Sequence, residues 1–445
     1  MTNLGHRSPQ ARARVVVIGA GFAGLAVVKG LKGAGAEIVL IDRTNHNLFQ
    51  PLLYQVATAA LAPSDIAVPV RAIFADRQDV TVLMGEVTTI DTQHRTVTVR
   101  DVGAVDFDYL VLATGSVYSW FGHDDWSHHA HVLKTLADAL KVRGSLLAAF
   151  ERAEAASDEA AVRRMLSFVI VGGGPTGVEM AGAIAELAHS TLARDFRRIR
   201  AATARIVLCE AGPHLLAGFP PTLADYARRR LDAMSVEVRT GTPVDLIDAE
   251  GVVAGGTRIP CGNILWCAGT AATPVAASLG AAQSRNGGIM VAPDCSVPDH
   301  DNVFAIGDVA SMSGPDGKPL PGVGPVAKQQ GASVARVIAA RLAGTPAPGP
   351  FVYKDVGQLA MIGRSSAIAD LGAVKLKGLP AWLLWSAVHL FFLIGTRNRL
   401  AVYLNWAWAW FTYGRGARLI TVLDRPTHDM LVSGDDRSDG SGRAI

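Results

Sequence analysis

The chain is 445 residues long with a formal net charge of +3, so it can hold two or three domains and carries too little charge to indicate a nucleic-acid partner. Its four cysteines are scattered and form no CxxC pair, which argues against a disulfide framework or a zinc site and is typical of a reducing cytoplasm. No cluster of metal-ligating residues stands out, so we expect no metal. The polar, basic first 14 residues contain no apolar segment of a secretory signal.

The first predicted element is a strand over 15–18, a short apolar run suited to burial on both faces of a parallel sheet. It runs into the turn GAGFAG, residues 19–24, and then into a helical stretch. In such a turn the first glycine permits the bend, the second lets backbone approach a pyrophosphate, and the third lets helix pack on strand. The helix N-terminus would hold the phosphates. A second strand, 38–41, ends in Asp42, whose carboxylate can accept hydrogen bonds from a ribose diol.

A second copy of this pattern follows about 150 residues later. A strand over 168–171 leads into the turn GGGPTG, residues 172–177, in which Pro175 suits an early helical position. A strand over 206–209 ends in Glu210. The spacing from Gly177 to Glu210 is longer than the usual twenty or so residues, and we expect the additional residues, 189–204, to form an extended amphipathic helix and loop. Two glycine turns, each framed by strand, helix, strand and acid, predict that the chain binds two dinucleotides.

Two further motifs accompany the repeat. In the segment 109–116 a strand runs into Ala113-Thr114-Gly115, and in the segment 302–310 another runs into Gly307-Asp308. The order of these four motifs resembles the flavoproteins with two dinucleotide-binding domains. The resemblance implies FAD at the first glycine turn, NAD(P)H at the second, and an NADH domain inserted into the FAD domain.

The same resemblance implies specific contacts. Asp308 would bind the FAD ribitol, Asp42 the adenosine ribose, and Glu86 and Val87 would lie near the adenine, with Thr114 at the crossing between domains. The implied FAD residues are Gly19, Gly21, Phe22, Ala23, Gly24, Asp42, Arg43, Glu86, Val87, Ala113, Thr114, Gly115, Gly307, Asp308, Lys328 and Gln329. The implied NADH residues are Gly172, Gly174, Pro175, Thr176, Gly177, Glu179, Glu210, Ala268 and Gly269.

Glu210 also predicts which nicotinamide cofactor is used. A carboxylate at that strand end accepts hydrogen bonds from the 2′-hydroxyl of NADH and repels the 2′-phosphate of NADPH. The next residues, 211–213, are Ala-Gly-Pro and offer no arginine for a phosphate. The sequence therefore predicts NADH rather than NADPH.

The positions of the cysteines exclude some classes of electron acceptor. The segment 42–57, after the second strand, has no cysteine, so disulfide-reductase chemistry is not expected. Sulfide:quinone reductases need cysteines around the flavin, and Cys209, Cys261, Cys267 and Cys295 have no such arrangement. Three alternatives stay open: sulfide:quinone chemistry, another reductase such as one feeding a ferredoxin, and a flavoprotein that senses redox state without turnover.

Three segments, NHNLFQPLLYQVA, VGGGPTGVEMAGAIAEL and ILWCAGT, closely resemble the type II NADH dehydrogenases, which are single-subunit, non-proton-pumping NADH:quinone oxidoreductases. The resemblance runs from about residue 13 to 423. It implies FAD, NADH and a quinone, either ubiquinone or menaquinone, and a homodimer on the cytoplasmic face of a bacterial inner membrane.

The resemblance also implies residues for the quinone step and departs at one position. Glu179 and, more loosely, Lys377 would deliver protons or contact quinone; each can instead be read as an ordinary helix or surface charge. The family commonly has AQxxxQ after the GD motif. Here Gly324-Pro325 replaces Ala-Gln, while Gln329 falls on the second glutamine.

The carboxyl-terminal part indicates a membrane surface. Residues 371–423 contain six Lys or Arg, no Asp or Glu, and five of the eight tryptophans. We expect Tyr403, Trp406, Trp410 and Tyr413 to share one helical face, and residues 375–418 to contact an anionic bilayer as a peripheral, monotopic anchor. A buried core or dimer interface and a transmembrane hairpin are the alternatives; spanning needs about twenty apolar residues per helix.

The predicted fold class is therefore α/β, with two Rossmann-like domains and a carboxyl-terminal amphipathic module. The FAD-binding domain is predicted over 1–115 and 290–345, and the NADH-binding domain over 160–285. The anchoring and quinone-site module is predicted over 346–423, followed by a disordered tail, 424–445.

Overall fold

The computed structural model describes residues 12–315, 317–412 and 414–421, so the tail 424–445 lies outside the described residues. The strand before each glycine turn is followed directly by a helix, as in an α/β protein. Within the described ranges the helices are α1 (Phe22–Gly30), α2 (Leu53–Ala57), α3 (Pro63–Ile66), α4 (Val70–Ile73), α5 (Leu136–Ala155), α6 (Glu159–Met165), α7 (Pro175–Glu186), α8 (Pro221–Ala233), α9 (Gly324–Ala343), α10 (Leu379–Phe392) and α11 (Thr396–Thr412).

The strands form two large, mainly parallel sheets and several small sheets, of which all but one are antiparallel. In the same ranges they are β1 (Arg14–Ile18), β2 (Glu37–Asp42), β3 (His46–Leu48), β4 (Ala67–Pro69), β5 (Val80–Met84), β6 (Val87–Asp91), β7 (Thr96–Val99), β8 (Gly103–Asp106), β9 (Tyr109–Leu112), β10 (Ser116–Tyr118), β11 (His131–Val132), β12 (Ser167–Val171), β13 (Arg205–Cys209), β14 (Val236–Arg239), β15 (Val244–Asp248), β16 (Gly251–Ala254), β17 (Thr257–Pro260), β18 (Asn263–Trp266), β19 (Thr270–Ala272), β20 (Ile289–Met290), β21 (Ser296–Val297), β22 (His300–Ala305), β23 (Ala310–Ser311), β24 (Gln358–Gly363), β25 (Ser366–Asp370) and β26 (Lys375–Gly378).

The first sheet has the order β21-β22-β9-β1-β2-β5 and is parallel except for the edge strand β21. The apolar run 15–18 falls in its centre because both faces are covered. Val15 and Val17 pack in a cluster with residues of α1 and α9, whereas Val16 and Ile18 pack with residues of β6, β7 and β8. This central position puts the first glycine turn at the carboxyl edge of the sheet.

The second sheet has the order β11-β18-β12-β13-β14 and is parallel throughout. Its strands lie in the chain between β9 and β22 of the first sheet, so the second unit is inserted into the first. The predicted fold class is confirmed. β11 is part of this sheet, and α5 packs in the same core as Phe168. Both elements lie before residue 160, so the second unit begins earlier in the chain than the predicted range 160–285.

Of the extended helix and loop predicted over 189–204, the loop is present, but the helix does not extend past Thr191. α7 ends in a π-helical turn, Leu187–Thr191, and a short 3-10 turn follows at Ala201–Thr203. Between them the Glu154 carboxylate accepts hydrogen bonds from consecutive backbone N–H groups, those of residues 197, 198 and 199, each at 3.0 Å. These groups bond to a carboxylate of α5 instead of to carbonyls of their own helix.

The carboxyl-terminal module consists of the antiparallel sheet β24-β25-β26 with α10 and α11. Its strand β24 lies directly on α7: a Cβ added to Gly182 would lie 1.9 Å from the carbonyl oxygen of Ile362. None of the helices among the described residues has both the length and the apolar character needed to cross a bilayer.

The predicted aromatic face of α11 is only partly correct. Tyr403 and Trp410 are exposed, but Trp406 turns inward, with its ring centroid 5.4 Å from that of the buried Trp385. The more exposed rings are Trp408, at 67%, and Phe411, at 77%. Tyr413 lies outside the described residues. The helical spacing failed here because one side of α11 must cover the core formed with α10.

Candidate active site

The first glycine turn lies at the carboxyl end of β1. Gly19 has a φ of +104°, which side chains rarely adopt, and a Cβ there would lie 2.3 Å from the carbonyl oxygen of Ala113. A Cβ on Gly24 would lie 1.8 Å from the carbonyl oxygen of Gly19, so α1 packs directly on the turn. At Gly21 a Cβ would meet no protein atom within 4 Å. The middle of the turn is therefore open at the N-terminus of α1, where a phosphate fits.

Asp42 closes the same edge of the sheet at the end of β2. One carboxylate oxygen accepts from the backbone N–H of Ala20 at 2.6 Å, and the other accepts from the backbone and hydroxyl of Thr44 at 2.7 and 2.8 Å. Asn47 donates to the carbonyl of Ala20 at 2.7 Å. These bonds fix the carboxylate beside the turn while leaving lone pairs for a ribose. The adjacent Arg43 is exposed.

The second glycine turn repeats this geometry at the carboxyl end of β12. Gly172 has a φ of +107°, and a Cβ there would lie 2.9 Å from the backbone nitrogen of Ala268. A Cβ on Gly177 would lie 1.8 Å from the carbonyl oxygen of Gly172, whereas a Cβ on Gly174 would meet nothing within 4 Å. Pro175 begins α7 as predicted. The second turn thus has the same opening at the N-terminus of its helix as the first.

Glu210 occupies the position at β13 that Asp42 has at β2. Its carboxylate accepts from the backbone N–H groups of Gly173 and Gly212, each at 2.6 Å. Gly269 has a φ of +71° and lies against the ring of Phe121: a Cβ added to Gly269 would lie 2.3 Å from the Cζ atom of that ring. Thr176 lies in the first turn of α7. Glu210 and Thr176 therefore lie beside the second glycine turn.

Gly307 and Asp308 bring the end of β22 to the first turn. Asp308 accepts from the hydroxyl of Ser116 at 2.8 Å, and that hydroxyl accepts from Lys134 at 2.7 Å. The buried Gln330 accepts from the backbone N–H of Gly307 at 2.8 Å. Sequence reasoning missed Ser116, Lys134 and Gln330, because only the folded chain brings them to the GD motif.

Other predicted FAD residues lie around this edge. The hydroxyl of Thr114 is 2.6 Å from that of Thr273, which links the two units where the chain crosses between them. Val87 is buried at the start of β6. Its neighbour Glu86 pairs with Arg100 at 3.0 Å on the surface.

Lys328 and Gln329 lie on α9 and face the carboxyl-terminal module. The Lys328 ammonium is 4.6 Å from the ring centroid of Phe392. The Gln329 side chain donates to the carbonyl of Lys354 at 2.9 Å and accepts from its N–H at 3.0 Å. Both ends of the Gln329 amide group are therefore used to join α9 to the segment before β24.

Gly324 and Pro325, which replace the Ala-Gln of the family pattern, are the first two residues of α9. Pro325 lies in the first turn, where no helical N–H is needed. A Cβ on Gly324 would lie 3.3 Å from the ring of Phe22, so a larger residue would press on the first glycine turn. Lys377 is exposed, with its ammonium 5.8 Å from the ring centroid of Tyr226.

Glu179 borders a cavity of about 100 Å³. It shares one side of α7 with Ala183 and Glu186, at the helical spacing of i, i+4 and i+7, and all three line the cavity. Glu179 accepts from the backbone N–H of Met361 at 3.3 Å. Burial raises the pKa of this carboxyl to about 8, so it is largely protonated at neutral pH.

Three side chains join the cavity to α11. The indole N–H of Trp406 donates to Gln55 at 2.7 Å, and the Gln55 amide donates to the hydroxyl of Tyr54 at 2.9 Å. Burial, and then the neighbouring Glu179, raise the pKa of Tyr54 well above its usual range. Sequence reasoning did not predict Tyr54 or Gln55 as site residues. Both lie in NHNLFQPLLYQVA, one of the segments that carry the family resemblance, and this position was the signal that could have found them.

Arg415 lies inside the molecule at the cavity wall. Its side chain is only 8% exposed; it donates to the carbonyl of Thr58 at 2.6 Å and pairs with Glu186 at 3.3 Å. Burial lowers the pKa of its guanidinium. The prediction that the basic residues of 375–418 face a membrane is therefore wrong for Arg415, because its charge is neutralised by α7.

The cysteine thiols are held in their neutral form. Burial raises the pKa of Cys209 to about 11 and those of Cys261, Cys267 and Cys295 to about 12. All four are free, and the described residues contain no group of three or more metal-ligating side chains.

We therefore expect iodoacetamide at pH 7.5 to leave all four thiols of the native protein unmodified for an hour, because only the thiolate reacts. Mass spectrometry after quenching measures this, and the same treatment in guanidinium chloride is the control in which all four should react. Rapid labelling of any thiol in the folded protein would contradict the assignment.

Comparison with known proteins decides the family. Residues 13–331 match the pyridine nucleotide-disulphide oxidoreductase family, and residues 356–415 match the NDH2 C-terminal domain. The chain is 41% identical over 426 residues to the type II NADH:quinone oxidoreductase NdhA of Mycobacterium tuberculosis, covering 92% of this chain and 90% of that protein. It belongs to the type II NADH:quinone oxidoreductases. A probable NADH dehydrogenase of Dictyostelium discoideum is 29% identical over 88% of each chain.

Solved structures agree with this fold. NDH2 of Plasmodium falciparum in complex with NADH superposes with a TM-score of 0.84 at 19% identity, covering 91% of this chain and 99% of that one. The sulfide:quinone oxidoreductase of Aquifex aeolicus gives 0.69 at 19% identity, covering 87% and 92%. At such identity the likeness shows the fold alone, and the membership of the type II family rests on the sequence relatives.

Proposed function

We propose that this chain passes a hydride from NADH to a bound FAD and two electrons onward to a quinone, without pumping protons. Its membership of the type II family supports this. The single observation that carries the proposal is the arrangement along α7. The helix begins at the open glycine turn around Gly174 and, five residues or about 7.5 Å later, presents Glu179 to the cavity. A nucleotide site and a proton donor thus share one helix.

FAD is the proposed resident cofactor. The turn 19–24 would hold its pyrophosphate, Asp42 its adenosine ribose and Asp308 its ribitol. The open position at Gly21 and the carboxylate fixed at the end of β2 fit such a group. When bound, FAD supplies a ring system that accepts a hydride and releases two electrons.

The domain assignment follows from these sites. We propose that residues 1–115 and 290–345 form the FAD-binding domain and 160–285 the core of the NADH-binding domain, with 346–423 as the quinone-site and anchoring module. The pairing of β11 with β18 supports starting the second domain nearer residue 131.

The protein's own contribution to quinone reduction is proton delivery and exclusion of water. Quinone reduction consumes two protons, and the protonated Glu179 is suited to donate one at neutral pH. Tyr54 and Gln55 form the neighbouring wall. We assign no proton-transfer step to Gln329 or Lys377, since the amide of Gln329 is bonded to Lys354 and Lys377 is exposed away from the cavity lining.

A peripheral membrane surface is proposed on the carboxyl-terminal module. Exposed large apolar side chains are concentrated there: Leu379, Leu383, Phe391, Phe392, Leu400, Tyr403, Leu404, Trp408, Trp410, Phe411, Leu419 and Ile420. Residues 371–423, which carry these side chains, contain no Asp or Glu to oppose an anionic bilayer. Access to NADH favours the cytoplasmic face, and the family resemblance favours a homodimer.

The surface can be tested by replacing Trp408 and Phe411 together with serine. Because burying each ring in a bilayer is worth about 2 kcal/mol, we expect binding to vesicles containing anionic lipid to weaken by roughly a hundredfold or more. Co-sedimentation measures the partition coefficient. Met84→Ser, which removes an exposed apolar side chain from the first unit, is the control. Unchanged binding of the double variant would contradict the surface.

Glu210 should make the enzyme selective for NADH. Placing the 2′-phosphate of NADPH against this carboxylate is a like-charge contact, so we expect kcat/KM for NADPH to be at least about tenfold lower. Glu210→Gln removes the repulsion between the carboxylate and the 2′-phosphate, so the two kcat/KM values, for NADH and for NADPH, should become more similar. Steady-state kinetics with both cofactors measures it, and equal efficiency for the two in the natural protein would overturn this assignment.

Stopped-flow absorbance of the purified flavin-loaded protein tests the function as a whole. We expect fast bleaching by NADH, then reoxidation by ubiquinone-1 or menadione and not by sulfide-derived products or ferredoxin. The raised pKa of all four thiols, which keeps them neutral, favours quinone over sulfur chemistry. Bleaching without reoxidation by any quinone would favour a redox sensor instead.

A further inference from the structure

A lysine of the inserted unit reaches the aspartate of the GD motif. Lys134 lies between β11 and α5, whereas Asp308 follows β22 of the first unit. The Lys134 ammonium donates to Ser116 at 2.7 Å, Ser116 donates to Asp308 at 2.8 Å, and the ammonium is 3.6 Å from the same carboxylate oxygen. The two charged side chains are only 20% and 28% exposed. The pair thus joins the units at the proposed FAD site.

The backbone of Lys134 is itself held on both sides. Its N–H donates to Asp138 at 3.2 Å, and its carbonyl accepts from Gln50 at 3.3 Å. Asp138 also forms a capping box with Thr135 at the start of α5. These bonds fix the backbone of Lys134, and the contacts with Ser116 and Asp308 hold its ammonium.

We infer that Lys134 is a positioning residue for the flavin, acting through Ser116 and Asp308. The inference rests on the proposed binding of FAD. An aspartate alone would put a negative charge beside a cofactor that already carries two phosphates. The lysine neutralises that charge and holds the carboxylate in one orientation for the ribitol.

The same charge bears on the potential of the bound flavin. Reduction adds negative charge to the flavin, and a fixed positive charge in a poorly hydrated site favours the form that carries more negative charge. Removing the ammonium should therefore lower the midpoint potential as well as weaken binding. A residue needed only for folding would not shift both quantities together.

The test uses Lys134→Met, Lys134→Arg and Lys134→Gln in the full chain. We expect the dissociation constant for FAD, measured by flavin fluorescence, to rise roughly tenfold in the Met variant, as for loss of one charge-assisted contact. Spectroelectrochemical titration should give a lower midpoint potential. Lys134→Arg should have nearly the same FAD affinity and midpoint potential as the natural protein. Lys134→Gln keeps a hydrogen-bond donor without the charge, so its FAD affinity should lie between those of the natural protein and the Met variant, whereas its midpoint potential should equal that of the Met variant.

A double-mutant cycle with Asp308→Asn isolates the pair. If the lysine acts by neutralising this carboxylate, Lys134→Met should weaken FAD binding less in the Asp308→Asn background than in the natural protein. Lys141→Met removes an exposed lysine of α5 and is the matched control, with unchanged affinity and potential. If Lys134→Met fails to fold, the comparison of arginine with glutamine carries the same test.

The outcomes separate this inference from the proposed function. A natural protein that binds FAD and is bleached by NADH, with variants of unchanged affinity and potential, overturns the role of Lys134 alone. Additive effects in the cycle overturn its action through Asp308. A natural protein that does not retain FAD overturns both proposals.

Discussion

Replacing Glu179 with glutamine is expected to lower kcat for quinone reduction about 100-fold or more, the usual contribution of a positioned general acid. Glutamine keeps the volume of the side chain and an oxygen to accept from the N–H of Met361, so the cavity wall stays in place. Hydride transfer from NADH needs no proton donor and should be unchanged. Stopped-flow measurement of the two half-reactions separates these effects.

The pH dependence follows from the raised pKa of Glu179. The carboxyl titrates near pH 8 in the folded protein against 4.5 as its ordinary value, so it is charged only above about pH 8. Quinone reduction by the natural enzyme should therefore fall as the pH rises through 8, and the glutamine variant should lose this inflection.

Stability should change in the opposite sense to that of an ion-paired carboxylate. Between about pH 4.5 and 8 the folded state holds the Glu179 proton and the unfolded state releases it, so the free energy of unfolding of the natural protein falls as pH rises over this window. The Tm of Glu179→Gln relative to the natural protein should increase over the same range. Glu151→Gln, which removes an exposed carboxylate of α5, should show neither effect. An unaltered quinone half-reaction in Glu179→Gln would remove this residue from proton delivery.

The parts of the site that could be predicted from sequence are those set by local backbone geometry. Gly19 and Gly172 need positive φ, and Gly24 and Gly177 need the absence of a Cβ, whatever the rest of the chain does. The acid after the next strand is likewise fixed by the register of two adjacent parallel strands. Such requirements leave a pattern in a single sequence, and both copies were found.

The parts that could not be predicted depend on contacts between distant segments. Lys134 meets Asp308 across 174 positions, and Trp406 meets Gln55 across 351. The residues around Lys134 do not mark it as part of a site, and helical spacing placed Trp406 on a membrane-facing side of α11 instead of against Gln55. Arg415 illustrates the same limit: beside exposed aromatic residues it reads as a surface charge, yet Glu186 of α7 neutralises it inside the protein.

Adding a methyl group to the glycine turns should give the second large effect, and the position of the glycine should decide its kind. In Gly24→Ala and Gly177→Ala the new Cβ would lie 1.8 Å from a carbonyl oxygen of the same turn. The helix must shift away, which we expect to cost about 1–3 kcal/mol or more of stability and to abolish dinucleotide binding at that turn.

Gly21→Ala and Gly174→Ala should behave differently, because their Cβ would meet no protein atom within 4 Å and their φ is negative. The ligand-free variants should be at least as stable as the natural protein, since alanine restricts the unfolded chain. Each should nevertheless weaken binding at its own turn, FAD for Gly21 and NADH for Gly174, by occupying the space a pyrophosphate needs.

Thermal unfolding of the ligand-free proteins, flavin content and NADH titration together measure both outcomes. Gly349→Ala, in an open stretch away from either turn, is the control and should alter none of them. The informative result is the contrast within one turn: the middle glycine should affect the ligand and spare the fold, whereas the third should affect both. If Gly21→Ala kept its FAD with full affinity, the backbone would not be approached closely there, and the cradle assigned to this turn would have to lie elsewhere.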